Sequence, residues 1–152
     1  MGLDMFLTKK YYIGAQYDWN NVTGNVEIFM NGHKLNVKLA DIESIDCEKV
    51  YWRKANMIHK WFVDHVQEGT DDCKTHYVSL EHLRELLKTC ILVRDDNELA
   101  KTLLPTQDGF FFGDIQYNEE YFKNVEYTIK ELGKLNLMGE DFGYEYYYQS
   151  SW

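Results

Sequence analysis

The hydrophobic pattern of this 152-residue chain changes its period twice, and this order restricts the fold more than any other feature. Apolar residues alternate with polar ones in the first third, recur every three or four residues through the middle, and end in a run of aromatics. Alternation is typical of half-buried strands, whereas the longer spacing is typical of amphipathic helices. The chain is therefore predicted to be a single α+β domain over residues 1–152, with a mostly antiparallel sheet packed against about three α-helices.

Strands are predicted at both ends of the chain. The alternation in the first third is interrupted by Asn31-Gly32, a dipeptide typical of the type I′ turn that closes a hairpin. Leu3–Ile13 also alternates, although Lys9 interrupts its apolar positions. The six aromatics of Phe142–Trp152 favour a pleated, half-buried surface, so this segment is expected to add a strand to the N-terminal sheet.

Helices are predicted through the middle of the chain. Tyr51–Gln67 has apolar residues three or four apart and is predicted to be an amphipathic helix. Ser79 is the predicted N-cap of a second helix, and a short helix over Asn97–Leu104 is expected to stop before a proline. The last helix is predicted to begin after Asn118 as N-cap and to stop at Gly133.

Charge restricts the partners that this chain can bind. It carries 16 Lys and Arg against 25 Asp and Glu, which gives a net charge of −9. This balance argues against an extended nucleic acid or an anionic membrane, which require many cationic contacts, and it leaves room for basic partners. The acids gather in Asp41–Glu48 and Glu140–Glu145. Asp41–Val50 fits neither hydrophobic period and is interpreted as a solvated acidic stretch.

The N-terminus and the cysteines indicate a cytoplasmic location. The chain lacks a run of about 18 apolar residues for a membrane span, and charges interrupt Met1–Ile13 where a signal peptide needs a continuous apolar stretch. The three cysteines, Cys47, Cys73 and Cys90, are odd in number and lack C-x-x-C spacing. Neither a disulfide framework nor a zinc ribbon is therefore indicated.

Two segments carry side chains suited to ligand binding. The helix predicted from Tyr51 combines rings, a guanidinium, ammonium groups, an amide and an imidazole, which can hold a ligand bearing phosphate or carboxylate. The loop Pro105–Gly113 contains three consecutive phenylalanines, and at least one of these rings cannot easily enter the same core as the others. In the alternative interpretation, Trp52 and Phe62 are core residues and Phe110–Phe112 is a short buried strand.

Catalytic and metal-binding alternatives depend on scattered residues. Asp71–Cys73, His76 and His82 include metal-capable groups, but zinc needs four ligands and a second pair is missing, so no metal site is predicted. A helix-connecting turn with Asp71 or Asp72 as a cap is the preferred interpretation of this segment. An enzyme that uses His59 or Cys73 stays open as an alternative, because its geometry is not visible in a sequence.

Four motifs of the chain resemble those of a family of small proteins encoded by bacteriophages, prophages and some bacteria. The motifs are MGLDM at the N-terminus, YWRKANxIHxWF from Tyr51, LLPTxxGFFFG from Leu103 and YYQSSW at the C-terminus. They span both ends and the middle of the chain, whereas Asn20–Asp46 does not align with the pattern. The resemblance implies no particular activity. It implies a shared site for the polar and aromatic motif residues, namely Trp52, Arg53, Asn56, His59, Asp72, Thr106, Phe111 and Gln149.

The combined observations favour a non-catalytic phage accessory protein in the cytoplasm of a bacterial host cell. Its expected ligand is small, anionic and of the nucleotide type, and its candidate role is to counteract host defence signalling. The alternative is an acidic inhibitor that binds a host protein, as anti-CRISPR and anti-restriction proteins do. No cofactor, metal or catalytic residue is predicted. The predicted ligand-binding residues are Trp52, Arg53, Lys54, Asn56, His59, Trp61, Thr106, Phe111 and Gln149.

Overall fold

A computed structural model describes residues 2–14, 16, 20–139 and 143–152 of the chain. Its strands and helices, in chain order, are β1 (Asp4–Tyr12), β2 (Ile28–Met30), β3 (His33–Leu35), β4 (Ser44–Arg53), α1 (Asn56–His65), β5 (His76–Val78), α2 (Leu80–Asp95), α3 (Ala100–Leu103), α4 (Glu119–Gly133) and β6 (Tyr144–Ser151). All strand pairs are antiparallel. This architecture confirms the predicted α+β class with an antiparallel sheet.

The main sheet has four strands in the order β4-β1-β6-β5. The C-terminal strand β6 pairs with β1 from Asp4 opposite Ser151 to Tyr11 opposite Tyr144, which confirms the predicted addition to the N-terminal sheet. Strand β4 pairs with the other edge of β1. The two central strands, β1 and β6, therefore come from opposite ends of the chain.

Most of the Asp41–Val50 segment belongs to strand β4, which the sequence did not predict, although its acids Asp41, Glu43, Asp46 and Glu48 are exposed as expected for a solvated acidic stretch. The register of β4 against β1 shifts between Leu7 and Thr8, and Lys49 is the additional residue on the bulged strand. A β-bulge changes which positions of a strand face the core. The alternation is therefore broken in the middle of β4, which hides the strand from a search for period two.

The predicted helix over Tyr51–Gln67 begins too early, because α1 starts at Asn56 and the preceding residues belong to β4. Trp52 points into the core from the strand, and its ring contacts Phe62 edge-on at 5.9 Å between centroids. Lys54, between the two elements, has a φ of 56° and turns the chain. The apolar residues at the end of β4 and those of α1 together have the three-to-four-residue spacing of a single helix, although they belong to two elements.

The helix ends follow their predicted caps closely. The Ser79 hydroxyl accepts the backbone N–H of His82 at 3.1 Å, and the Asn118 side chain accepts two N–H groups in the first turn of α4. Helix α4 ends at Gly133, as predicted. The short helix predicted over Asn97–Leu104 is a 3₁₀ turn at Asn97–Leu99 followed by α3. None of the helices in the described part of the chain is long and apolar enough to cross a membrane.

The main sheet has one buried face and one open face. Leu3, Met5 and Leu7 are fully buried and share a single core with residues of the helices. The intervening residues of β1 are half-buried and face away from that core. Lys9 points inward, and its ammonium lies 3.4 Å from the centroid of the Tyr144 ring, so a cation–π contact accommodates the charge.

The predicted hairpin forms between β2 and β3, with Asn31 and Gly32 at φ values of 50° and 81°. These positive angles at both central residues match the predicted type I′ turn. The hairpin is a separate two-stranded sheet and does not extend the main sheet. Of the remaining predicted features, the start of the last strand at Phe142 and the acids Glu140 and Asp141 lie outside the described residues.

Candidate functional site

Several of the predicted ligand-binding side chains are buried, and they make hydrogen bonds or ring contacts with other residues of the protein. The Trp52 side chain is 1% exposed, and its indole N–H donates to the Thr128 hydroxyl at 2.9 Å. Trp61 is 3% exposed and stacks on the His65 ring at 4.4 Å. Neither indole offers a free face to a ligand, so the predicted stacking role of Trp52 or Trp61 finds no support in these positions.

Asn56 holds the phenylalanine loop against the start of α1. Its fully buried side chain donates to the carbonyl of Phe112 at 3.1 Å and to that of Asp114 at 2.8 Å. Its amide oxygen accepts the backbone N–H of Gln107 at 3.3 Å. The amide therefore uses both its donors and its acceptor on the loop, and Asn56 positions the loop without facing a ligand.

His59 is the centre of a buried hydrogen-bonded group. Its Nε2 lies 2.9 Å from the Asp71 carboxylate and its Nδ1 lies 2.7 Å from the Tyr148 hydroxyl. Since a carboxylate only accepts, Nε2 carries the proton that is donated to Asp71. Burial raises the pKa of Tyr148 well above its usual value, and the negative charge of Asp71 acts in the same direction. The indole N–H of Trp152 donates to the other oxygen of Asp71 at 3.2 Å.

Thr106 and Gln149 also take part in internal contacts. The Thr106 hydroxyl donates to the carbonyl of Ile115 at 3.1 Å and so closes the base of the loop. The Gln149 side chain donates to the carbonyl of Cys73 at 3.3 Å on the open face of the sheet. Gln149 lines a separate cavity on that face, together with residues of other strands.

The remaining predicted residues, Arg53, Lys54 and Phe111, come together at the end of the sheet where β1 begins and β4 ends. The backbone N–H of Leu3 donates to the carbonyl of Phe111 at 3.0 Å, and the N–H of Lys54 donates to the carbonyl of Leu3 at 2.8 Å. We call this surface the basic–aromatic corner, and it consists of Gly2, Arg53, Lys54, Phe110 and Phe111.

Two glycines leave room for the Lys54 side chain in the basic–aromatic corner. A methyl group added at Gly2 would lie 3.3 Å from Lys54 Cε, and one added at Gly113 would lie 3.1 Å from Lys54 Cβ. Gly113 also has a φ of 89°, which other residues rarely adopt. Lys54 itself has a φ of 56°, an uncommon conformation for a residue with a side chain. The backbone of Lys54 thus makes a turn that brings its side chain close to both glycines.

Arg53 lies beside an aromatic and a carboxylate on the same sheet. It is opposite Asp4 in the register of β1 and β4, and Asp4 accepts a hydrogen bond from the Tyr51 hydroxyl. This hydrogen bond raises the pKa of Tyr51 above its usual value, while the positive charge of Arg53 acts in the opposite direction. Arg53 and Lys54 are the two cations of the corner, and the carboxylates that border it are Asp4 on β1 and Asp108 and Asp114 on either side of the three phenylalanines.

Phe110 is the most exposed large apolar side chain of the corner, at 95%. Its ring packs edge-on against that of half-buried Phe111 at 4.8 Å, whereas Phe112 is 6% exposed and belongs to the core. The three rings therefore separate as the sequence predicts, and the alternative of a short buried strand is wrong because these residues form a turn. The sequence motif singled out Phe111, but Phe110 is the ring that is available to a partner.

The side chains of the basic–aromatic corner are suited to holding an anionic group next to a ring. Arg53 and Lys54 supply donors for the anionic group, and Phe110 supplies a ring face. His59 and Cys73, the residues of the alternative enzyme hypothesis, lie in the group around Tyr148 and in the turn before β5. In that turn Asp72 accepts the backbone N–H of Lys74 at 3.0 Å, as expected for an aspartate cap.

A second group of polar residues lies on the open face of the sheet, around Glu145. The hydroxyls of Tyr12 and Tyr147 both donate to the Glu145 carboxylate, and the two hydroxyl oxygens lie 2.8 Å apart. These hydrogen bonds lower the pKa of Glu145 below its ordinary value of 4.5, with the bond from Tyr147 having the larger effect. Glu145 is therefore held in its ionised form.

The lowered pKa of Glu145 predicts a pH dependence of stability. The ionised carboxylate stabilises the fold above its ordinary pKa of 4.5, and this contribution is lost as the pH falls through the lower pKa of the folded state. The variant Tyr147→Phe should raise the pKa of Glu145, as measured by carbon-detected NMR titration. Tyr77→Phe removes a neighbouring phenol that does not bond to Glu145 and should leave this pKa unchanged. An equal effect of both variants would contradict the assignment.

Comparisons with known proteins add no further constraint on this site. No family model, no curated protein and no solved structure matches the chain. Among the residues that the structure describes, no group of three or more His, Cys, Asp or Glu side chains is arranged to hold a metal ion.

Proposed function

We propose that this chain is a non-catalytic binding protein that holds a small anionic, ring-bearing ligand of the nucleotide type at the basic–aromatic corner. The observation that carries the proposal is that the backbone of Leu3 joins Lys54, which follows exposed Arg53, to Phe111, whose ring contacts that of Phe110, a phenylalanine that is 95% exposed. An exposed ring in the same corner as two cations gives the ring of a ligand a surface to stack on while the cations bind its anionic group.

The charges of the corner suit a phosphate group. A guanidinium donates two parallel hydrogen bonds to a phosphate, and an ammonium adds a point charge from a second direction. Lys54 has no ion pair with any other described residue, so its charge is available. The uncommon backbone of Lys54 also supports the proposal, because strained conformations tend to persist where function requires them.

The ring of Phe110 suits the base of such a ligand. Stacking of a nucleobase on an aromatic side chain contributes about 1–3 kcal/mol and does not depend on which base is present. The net charge of −9 opposes a long polyanion, whereas a small ligand needs only the two cations Arg53 and Lys54. In the bacterial cytoplasm proposed from the phage resemblance, capture of a nucleotide signal would counteract host defence signalling.

Calorimetric titration with a panel of cyclic and linear nucleotides tests this proposal. We expect at least one nucleotide to bind, and we expect Arg53→Ala or Lys54→Asn to weaken its binding by about 10-fold or more, since a charge-assisted hydrogen bond contributes about 1.5–3 kcal/mol. Asparagine is chosen at position 54 because it tolerates a positive φ.

Lys130→Ala provides the matched control, because Lys130 is an exposed lysine on α4 outside the corner. This variant should bind the nucleotide as the unmodified protein does. The proposal fails if no member of the panel gives heat, or if Lys130→Ala weakens binding as much as Lys54→Asn.

A further inference from the structure

The open face of the main sheet contains a polar cavity that is separate from the basic–aromatic corner. Its volume is about 370 Å³, which lies in the range of small-molecule sites. Side chains from β1, β4 and β6 and from the turn before β5 form its walls, namely Thr8, Lys10, Asp46, Thr75, Tyr147 and Gln149.

The cavity contains one cation and one anion on neighbouring strands. Lys10 and Asp46 are direct partners in the register of β1 and β4. The Cβ atoms of such partners lie about 4.5–5.5 Å apart. Opposite charges at these positions commonly pair with each other, yet neither side chain forms a salt bridge with any described residue. The Lys10 ammonium lies 5.5 Å from the centroid of the Tyr12 ring, and its charge contributes to lowering the pKa of Glu145. Since neither charge is neutralised by a direct ion pair, both can contact a ligand that enters the cavity.

A second carboxylate lies on the other side of Lys10. Glu145 is the partner of Lys10 across β1 and β6, and the hydroxyls of Tyr12 and Tyr147 keep it ionised. The charges thus alternate across three strands, with Lys10 between Asp46 and Glu145. A ligand with only a negative charge would meet two carboxylates, whereas a ligand with only a positive charge would meet the Lys10 ammonium.

We propose that this cavity binds a free α-amino acid as its zwitterion. The carboxylate of the ligand contacts the Lys10 ammonium, and its α-ammonium contacts the Asp46 carboxylate. An α-amino acid carries both charges on adjacent carbons, so it is short enough to bridge two directly opposed residues. This site goes beyond the nucleotide-type site proposed above, with which it shares no residue.

The remaining walls of the cavity predict a polar side chain on the ligand. Thr8 and Thr75 supply hydroxyl groups, and Gln149 keeps its amide oxygen as an acceptor because its donor is directed to Cys73. Tyr147 supplies the aromatic ring, which packs edge-on against Tyr77 at 6.2 Å. We therefore expect glutamine or serine to bind more tightly than leucine.

Titration by NMR with L-glutamine, L-serine and L-leucine tests this inference. We expect saturable shifts of the amides of β1 and β4 with glutamine or serine. N-acetyl-L-glutamine lacks the ammonium and L-glutaminamide lacks the carboxylate, so each should bind at least 10-fold more weakly than L-glutamine. Lys10→Gln and Asp46→Asn should each weaken binding of L-glutamine by at least 10-fold.

Glu48→Gln serves as the matched control, because Glu48 is an exposed carboxylate on β4 that does not line the cavity. Its circular dichroism and its binding of L-glutamine should equal those of the unmodified protein. The inference is overturned if none of the three amino acids binds, if N-acetyl-L-glutamine binds as tightly as L-glutamine, or if Glu48→Gln weakens binding as much as Asp46→Asn. These outcomes leave the nucleotide titration unaffected, so the two proposals fail independently.

Discussion

Replacement of Asn56 by alanine is expected to lower the free energy of unfolding by about 3 kcal/mol, because an unpaired buried polar group costs about 1–3 kcal/mol. The buried amide makes three hydrogen bonds, to the carbonyls of Phe112 and Asp114 and from the N–H of Gln107. Alanine leaves all three backbone groups without their partner. Since part of the loop is near solvent, water recovers some of this loss, and the expected value is below the sum of three full penalties.

Urea denaturation measures this effect, and two further variants define its cause. Asn56→Asp keeps the acceptor for Gln107 but removes both donors and buries a charge, so its unfolding free energy should fall at least as far as that of Asn56→Ala. Asn124→Ala is the matched control, since the Asn124 amide makes a single bond to the carbonyl of Glu120 on the surface of α4. If Asn56→Ala lowers the free energy of unfolding by less than about 1 kcal/mol, the result would contradict the role of Asn56 in holding the phenylalanine loop against α1.

The features that the sequence predicts correctly depend on local chemistry. Ser79 and Asn118 cap helices because a side-chain oxygen reaches N–H groups two or three residues away. Asn31-Gly32 closes a hairpin because both residues adopt positive φ. In each case the residues that determine the structure lie within four positions of one another, so a sequence pattern contains all the information required.

The features that the sequence misses depend on contacts between distant residues. Strand β4 is hidden by a bulge whose position is set by pairing with β1. Trp52 was predicted to stack on a ligand from a helix, but it packs from a strand against the helix that follows. Of the predicted site, Arg53, Lys54 and Phe111 do come together, yet they do so through backbone bonds to Leu3 and not through a shared helix face.

In the phenylalanine loop, too, the sequence does not show which contact with a distant residue sets the structure. The sequence indicates that the three rings cannot all enter one core, but it does not indicate which ring stays outside. Asn56 decides this question, because it fixes the carbonyl of Phe112 and so directs that ring inward beside His59. Phe110 is then left at the surface, where its ring contacts that of Phe111 and completes the basic–aromatic corner.

The second large effect is the difference in stability between alanine variants of two phenylalanines of the same loop. Phe112→Ala is expected to lower the free energy of unfolding by about 3–4 kcal/mol, whereas Phe110→Ala should change it by less than about 0.5 kcal/mol. The Phe112 ring is 6% exposed and contacts the rings of His59 at 5.1 Å and Trp152 at 5.9 Å, so its removal leaves a cavity. The Phe110 ring is 95% exposed and loses almost no burial.

The same pair of variants separates stability from binding, because Phe110 should matter only to the ligand. Phe110→Ala should fold with an unchanged midpoint in urea and should still lose about 5-fold or more of its nucleotide affinity, since stacking contributes at least about 1 kcal/mol. Phe110→Tyr keeps a ring at the same place and should retain the affinity. If Phe110→Ala destabilises the fold as much as Phe112→Ala, the ring is structural. If it binds nucleotide as tightly as the unmodified protein, the base lies elsewhere and the basic–aromatic corner recognises only the anionic group.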